Sequence, residues 1–188
     1  MRFLVAAALL CAACVSQYTG GARSVDPQRM HEPGWTLADP TPEIRQRELQ
    51  DCGAAALAMV AGRWDVTLTP SAAVPGSHPQ GIRLGELRDA AREHGLTAFA
   101  IAGDRETLIH ELREGRPVIV GLLLPHGSDR ATSHYEVVVG VHETRGEIIS
   151  IDPATGWRSR TWAALENEWS PVGHPTLVVT SKESHANR

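Results

Sequence analysis

Residues 117–152 constrain the fold more than any other stretch. Val118-Ile119-Val120-Gly121-Leu122-Leu123-Leu124 is a continuous apolar run of strand length, the pattern of a central strand. After a polar loop at 125–132, residues 133–142 alternate: Tyr135, Val137, Val139 and Val141 on one face, His134, Glu136, Val138 and Gly140 on the other. Thr144-Arg145-Gly146 turns the chain, 147–152 returns as a hairpin partner, and 153–156 ends it. Residues 176–180 read as a last strand. A mostly antiparallel sheet in the second half of the chain follows from these patterns.

The first half reads differently. Residues 52–62 are alanine-rich and predict a helix with Leu57, Val60 and Ala61 on its buried face. Residues 65–80 are broken by Pro70, Pro75, Gly76 and Pro79 and read as irregular. Helices are expected over 84–94, stopped by Gly95, and from an Asp104 cap to Arg113, with a short strand at 96–102 between them. Trp162, Leu165 and Trp169 fit a short amphipathic helix as core residues. Helices followed by an antiparallel sheet make an α+β fold, with the helix that starts at Cys52 packed on the sheet that carries His134 and Asp152.

The ends read as processing segments. Arg2, an apolar run from Phe3 to Leu10 and the small residues around Cys11-Ala12-Ala13-Cys14 form an export signal. It resembles a bacterial lipoprotein signal at 1–14 in which Cys14 receives the lipid, although Cys11 stands where leucine is usual; an ordinary signal peptide cut nearby is the alternative. Val15 after Cys14, rather than aspartate, implies by the same resemblance an outer-membrane lipoprotein facing the periplasm in a Gram-negative cell. Residues 15–42, broken by Gly20, Gly21, Pro27, Pro33, Pro40 and Pro42, read as a flexible tether to a domain at 43–181, with a loose tail at 182–188. The net charge of −4 carries no basic stripe, so no nucleic-acid partner is expected. Past the signal no apolar run approaches the ~20 residues of a membrane span.

Cysteine use points to chemistry. With Cys11 removed and Cys14 lipidated, Cys52 is the one thiol left, without a disulfide partner. A thiol at a helix N-terminus sits where the thiolate is favoured, though a lone cysteine in an alanine-rich helix is also an ordinary small core residue. Gln46, six residues upstream, can fold back and offer its amide as an oxyanion donor. Among nine histidines His134 stands out: it opens a strand just after a polar loop, whereas His142, beside the hairpin turn, reads as solvated. Asp152 ends the strand paired with that of His134; it is placed either to orient the imidazole or, with Pro153, to start a turn. With no CxxC, no HxxxH and no second cysteine in the domain, neither a metal nor a cofactor is expected.

Gln46, Asp51-Cys52-Gly53-Ala54-Ala55, Ser133-His134-Tyr135 and Asp152-Pro153-Ala154-Thr155-Gly156, in that order, resemble the bacteriocin-processing (double-glycine) peptidases, a branch of the papain-like cysteine peptidases. The resemblance implies a papain-like fold with Cys52 as nucleophile, His134 as general base and acid, Asp152 as its orienting residue and Gln46 as oxyanion donor. It implies a peptide or protein substrate, cut after a Gly-Gly-type site. The sequence departs from the family in having no transporter domain and no nucleotide motif, in carrying an export signal, and in Glu136, where an apolar residue is more usual. The alternative is a binding module of the same fold that grips a peptide or partner in the cell envelope without cutting it. A third option keeps the nucleophile but acts on cell-wall peptide amides or in acyl transfer.

Overall fold

The computed structural model describes residues 17–181 apart from 39, 77 and 79, so the segment read as a signal at 1–14, with Cys14, and the stretch 182–188 read as a tail lie outside the described residues. The N-terminal segment carries two short strands, β1 (Arg23–Ser24) and β2 (Thr36–Leu37). Helices α1 (Cys52–Arg63), α2 (Pro70–Ala73) and α3 (Leu84–Glu93) follow, then β3 (Thr97–Ala102) and α4 (Arg105–Arg113). Strands β4 (Val118–His126), β5 (Arg130–His142), β6 (Glu147–Asp152) and β7 (Gly156–Thr161) form a meander, and α5 (Trp162–Trp169) and β8 (Pro175–Thr180) close the chain. No described helix is long and apolar enough to cross a membrane.

All strand pairs are antiparallel, in the order β1-β7-β6-β5-β4-β8-β3, with β2 paired to β5 off this path. The sheet is covered on both faces. On one, α1 and α3 meet Val137, Val139, Ile149, Ile151 and Leu177; on the other, α4 and α5 meet Val118, Val120, Val138, Val141 and Ile148. Small side chains let α1 sink in completely, with every residue from Cys52 to Ala61 buried. The expected α+β architecture is the one observed.

Three expectations change. The segment read as a flexible tether is laid onto the sheet across residues 17–38. Tyr18 bridges His126, Thr19 N–H donates to the Pro125 carbonyl at 2.9 Å, β1 pairs with β7, and β2 with β5. Arg29 grips Glu147 through two bonds of 2.8 and 2.9 Å, and Arg145 pairs with Glu32 at 2.6 Å. Glycine and proline break helical and strand periodicity, but they leave an irregular chain free to bond to strand edges. Gly140 is part of the fit: a Cβ there would stand 2.7 Å from Leu37 Cδ2.

Second, β5 does not alternate to its end. Its register with β6 slips between Val138 and Gly140, a bulge that moves Val141 to the α4/α5 face with Val138. His142, expected in solvent, is buried with its ring edge-on to Trp35. Third, the loop at 125–132 is mostly strand, with the turn confined to 127–129. The polar strand β7 also went unread, because Arg158 and Arg160 mask its period.

Candidate active site

Cys52 is the first residue of α1, and Asp51 before it gives no side-chain cap to the helix. Asp51 instead accepts from the Glu48 N–H at 3.3 Å, tightening the loop that enters the helix. Gly53 has no room for a side chain, since a Cβ would lie 2.4 Å from Ile82 Cγ2 and 3.1 Å from the Tyr135 ring. This close approach brings the start of α1 against β5 where that strand enters the core: residues 130–133 are exposed and His134 is buried.

Cys52, His134 and Asp152 come together there, at 7%, 8% and 4% exposure. His134 Nε2 lies 2.7 Å from Asp152 Oδ1, and the ring also hydrogen-bonds the Cys52 sulfur, which leaves Nδ1 for the thiol. Asp152 is held in turn by the Ala154 N–H (2.7 Å) and the Thr155 hydroxyl (2.5 Å). Asp152 thus stands at the β6–β7 turn and also hydrogen-bonds His134. Gln46 donates its backbone N–H to the Pro153 carbonyl at 3.0 Å, and its side-chain amide donates to the Glu48 carbonyl at 2.9 Å. An amide has two N–H groups, so one further donor remains on Gln46.

The electrostatics favour a charged pair. Burial pushes the Cys52 thiol up, but the His134 hydrogen bond and charge, with the backbone amides of Tyr135 and Gly53, outweigh it and bring the thiol below its ordinary value. Burial opposes charge on His134, yet the bonds to Asp152 and Cys52 raise it to about 10. Burial opposes charge on Asp152 too, and the His134 bond and charge hold its carboxyl well below the usual carboxylate range.

Behind His134 lies a second set of charges that the sequence reading took up only through Glu136. Glu136, Arg160 and Glu168 are 2%, 3% and 1% exposed. Arg160 Nη2 bonds both Glu136 oxygens (2.6 and 2.5 Å), its Nη1 bonds Glu168 Oε2 (2.5 Å), and Ser150 donates to Glu136 at 2.6 Å. Tyr18 donates to the other Glu168 oxygen, as does the Gly21 N–H at 3.3 Å. A carboxylate inside an apolar alternation demands a buried cation, and that demand on Glu136 was the one signal for Arg160. Ligand atoms of His134, Glu136 and Asp152 lie within 4.8 Å of one another. Arg160 already supplies the cation there, and Asp152 is filled by His134, Ala154 and Thr155, so the group is a hydrogen-bonded charge cluster and not a metal centre.

A cavity of about 520 Å³ adjoins the start of α1, lined by Arg47, Glu48, Asp51, Ala54, Val74 and Ile82 among others. Its walls are both charged and apolar, and Cys52, His134 and Asp152 are not among the residues that line it.

The same fold occurs in the peptidase domain of Streptococcus ComA, a bifunctional ABC transporter of a quorum-sensing pathway. That domain is 22% identical, with a TM-score of 0.62, over 74% of this chain and 98% of that one. A double-glycine motif protease from an AMS/PCAT transporter, solved with its leader peptide, is 22% identical with a TM-score of 0.61, over 78% and 94% of the two chains. A C39-like peptidase structure from Bacillus anthracis is 15% identical with a TM-score of 0.63, over 78% and 97%. No curated protein sequence matches the chain. The sequence profile of one family matches residues 41–184, from the loop before Gln46 through the last strand, and by that match the chain belongs to the Peptidase C39 family.

Proposed function

We propose that this protein is an exported cysteine peptidase of the cell envelope, held to the membrane by a lipid on Cys14, that cuts a peptide or protein substrate. The observation that carries the reading is the single imidazole shared between a carboxylate and a thiol: His134 bonded to Asp152 at 2.7 Å and to Cys52 by its other side. That arrangement favours a thiolate beside an imidazolium, in a family of peptidases.

In the proposed reaction the Cys52 thiolate attacks the scissile carbonyl carbon. The oxyanion accepts from the remaining Gln46 amide N–H and from the Cys52 backbone N–H. His134 then gives its proton to the departing amine. Water, deprotonated by His134, attacks the thioester, and Cys52 leaves as thiolate. Asp152 keeps the imidazole in one orientation and stabilises its charged form. The structural relative solved with a leader peptide supports a peptide substrate, and a Gly-Gly-type site is proposed from the same likeness.

The test is alkylation of Cys52 by iodoacetamide across pH, read by mass spectrometry on the purified full chain. Fast labelling well below the free-thiol value of about 8.5, lost in His134→Ala, is expected. Labelling at the rate of a free thiol would overturn the nucleophile and leave a peptide-binding module.

A further inference from the structure

We propose that Glu136 is a positioning residue for His134: a second buried carboxylate, beside Asp152, that draws the Cys52 proton onto the imidazole. The inference rests on the peptidase reading for its consequence, but its first observable is His134 itself.

The geometry carries it. Glu136 and Asp152 both approach the ring of His134, within the 4.8 Å that relates all three. The Cys52 sulfur is not part of that group and meets the ring separately, by its own hydrogen bond. Glu136 and Glu168 share one cation, Arg160, and Tyr18 stays a neutral donor, pushed up to about 12 by burial and by its bond to Glu168. Glu136, Arg160 and Glu168 have almost no water contact, and two carboxyl groups stand there against the one guanidinium of Arg160.

Forming the ion pair moves one proton from Cys52 Sγ to His134, with no change in total charge. It moves that proton toward the carboxylates. A negative charge nearer the ring than the sulfur favours the transfer, and a dry surrounding strengthens the effect. Arg160 and Ser150 fix Glu136 by both oxygens, so it acts through its charge while Asp152 keeps the bond to Nε2. The charged and titratable groups around His134 are then Cys52 on α1, Glu136 on β5, Asp152 on β6, Arg160 on β7, Glu168 on α5, and Tyr18 of the N-terminal segment, with Arg158 of β7 at the rim, 3.4 Å from the Thr155 hydroxyl and 5.2 Å over the Tyr18 ring. Tyr135 adjoins Cys52.

The experiment compares the full chain with Glu136→Gln and Glu136→Asp. The His134 ring is titrated by NMR, its signal assigned by loss in His134→Gln, and the alkylation midpoint of Cys52 is measured in parallel. Glu136→Gln keeps an oxygen for Ser150 and Arg160 but removes the charge. It is expected to lower the His134 midpoint by about one pH unit and to raise that of Cys52. Glu136→Asp keeps the charge and should stay near wild type in both, even where its melting temperature falls with that of Glu136→Gln. Should Glu136→Gln not fold, Glu168→Gln removes one charge a step farther out and is expected to give the same sign with smaller amplitude. A His134 midpoint unchanged by either neutral variant would overturn the inference and leave the cluster a purely structural one. A wild-type Cys52 that labels like a free thiol would instead sink the peptidase reading, while the His134 shift would still decide this one.

Discussion

Gln46 is tied to Pro153: the backbone N–H of one donates to the carbonyl of the other at 3.0 Å, so the loop before the candidate nucleophile is docked on the turn after the candidate orienting acid. Because the tie is made by the backbone, the Gln46 side chain can be changed without undoing it. Gln46→Ala is expected to lower kcat by about 10²-fold or more, with KM little changed and the melting curve intact. A kcat within a factor of about two of wild type would remove Gln46 from the oxyanion site.

The pH dependence follows from three shifts of known sign. Turnover should rise through the lowered thiol value of Cys52 and fall near pH 10, where His134 loses its proton. His134 is raised above its unfolded value, so its stabilisation is complete below about pH 6.5 and is lost as pH climbs through about 10. Asp152 is depressed, so its stabilisation is present above about pH 3.9 and is lost as pH falls through its folded value. The stability difference between wild type and Asp152→Asn, measured by denaturant titration, should be widest between those limits and narrow on either side. A difference flat from pH 3 to 10 would contradict the pairing.

Gly53→Ala tests the close approach that brings α1 against β5. The new Cβ meets the Cγ2 methyl of Ile82, and overpacking of this kind costs about 1–3 kcal/mol. Gly53→Ala combined with Ile82→Ala should be less destabilised than the two single effects add to, because each relieves the other. Strict additivity in denaturant melts would mean that the contact carries no strain.

Tyr18→Phe removes the hydroxyl that joins the N-terminal segment to Glu168 and to the Ala22 N–H. The expected loss is about 1–2 kcal/mol, seen as a lower Tm. An unchanged Tm would mean that the bonds of the Tyr18 hydroxyl contribute nothing measurable to the fold.

Helices α1, α3, α4 and α5 and the central strands were legible because each carries its own period, whereas the single turn of α2 (Pro70–Ala73) lies in the stretch read as irregular. The apolar run at 118–124 and the caps at Asp104 and Gly95 needed no tertiary context. Cys52, His134 and Asp152 were legible through order and local setting, and the β5–β6 pairing brought the last two together as expected. The N-terminal segment was not legible, because its bonds run from backbone to strand edges and leave no side-chain pattern. Nor was β7, whose buried Arg160 reads as surface until Glu136 and Glu168 are seen on either side of it. The bulge that turns Val141 over has no sequence signal of its own.

The docked N-terminal segment sets a height. Tyr18 is fixed to the sheet, and three residues separate it from Cys14, four Cα–Cα steps that reach at most about 14 Å when fully extended. With a lipid on Cys14, as proposed, the domain would be kept within that reach of the membrane surface. The candidate site would then lie within a bounded distance of the bilayer. The substrates within reach would then be chosen first by how far their cleavage sites project from the membrane plane, and only then by sequence.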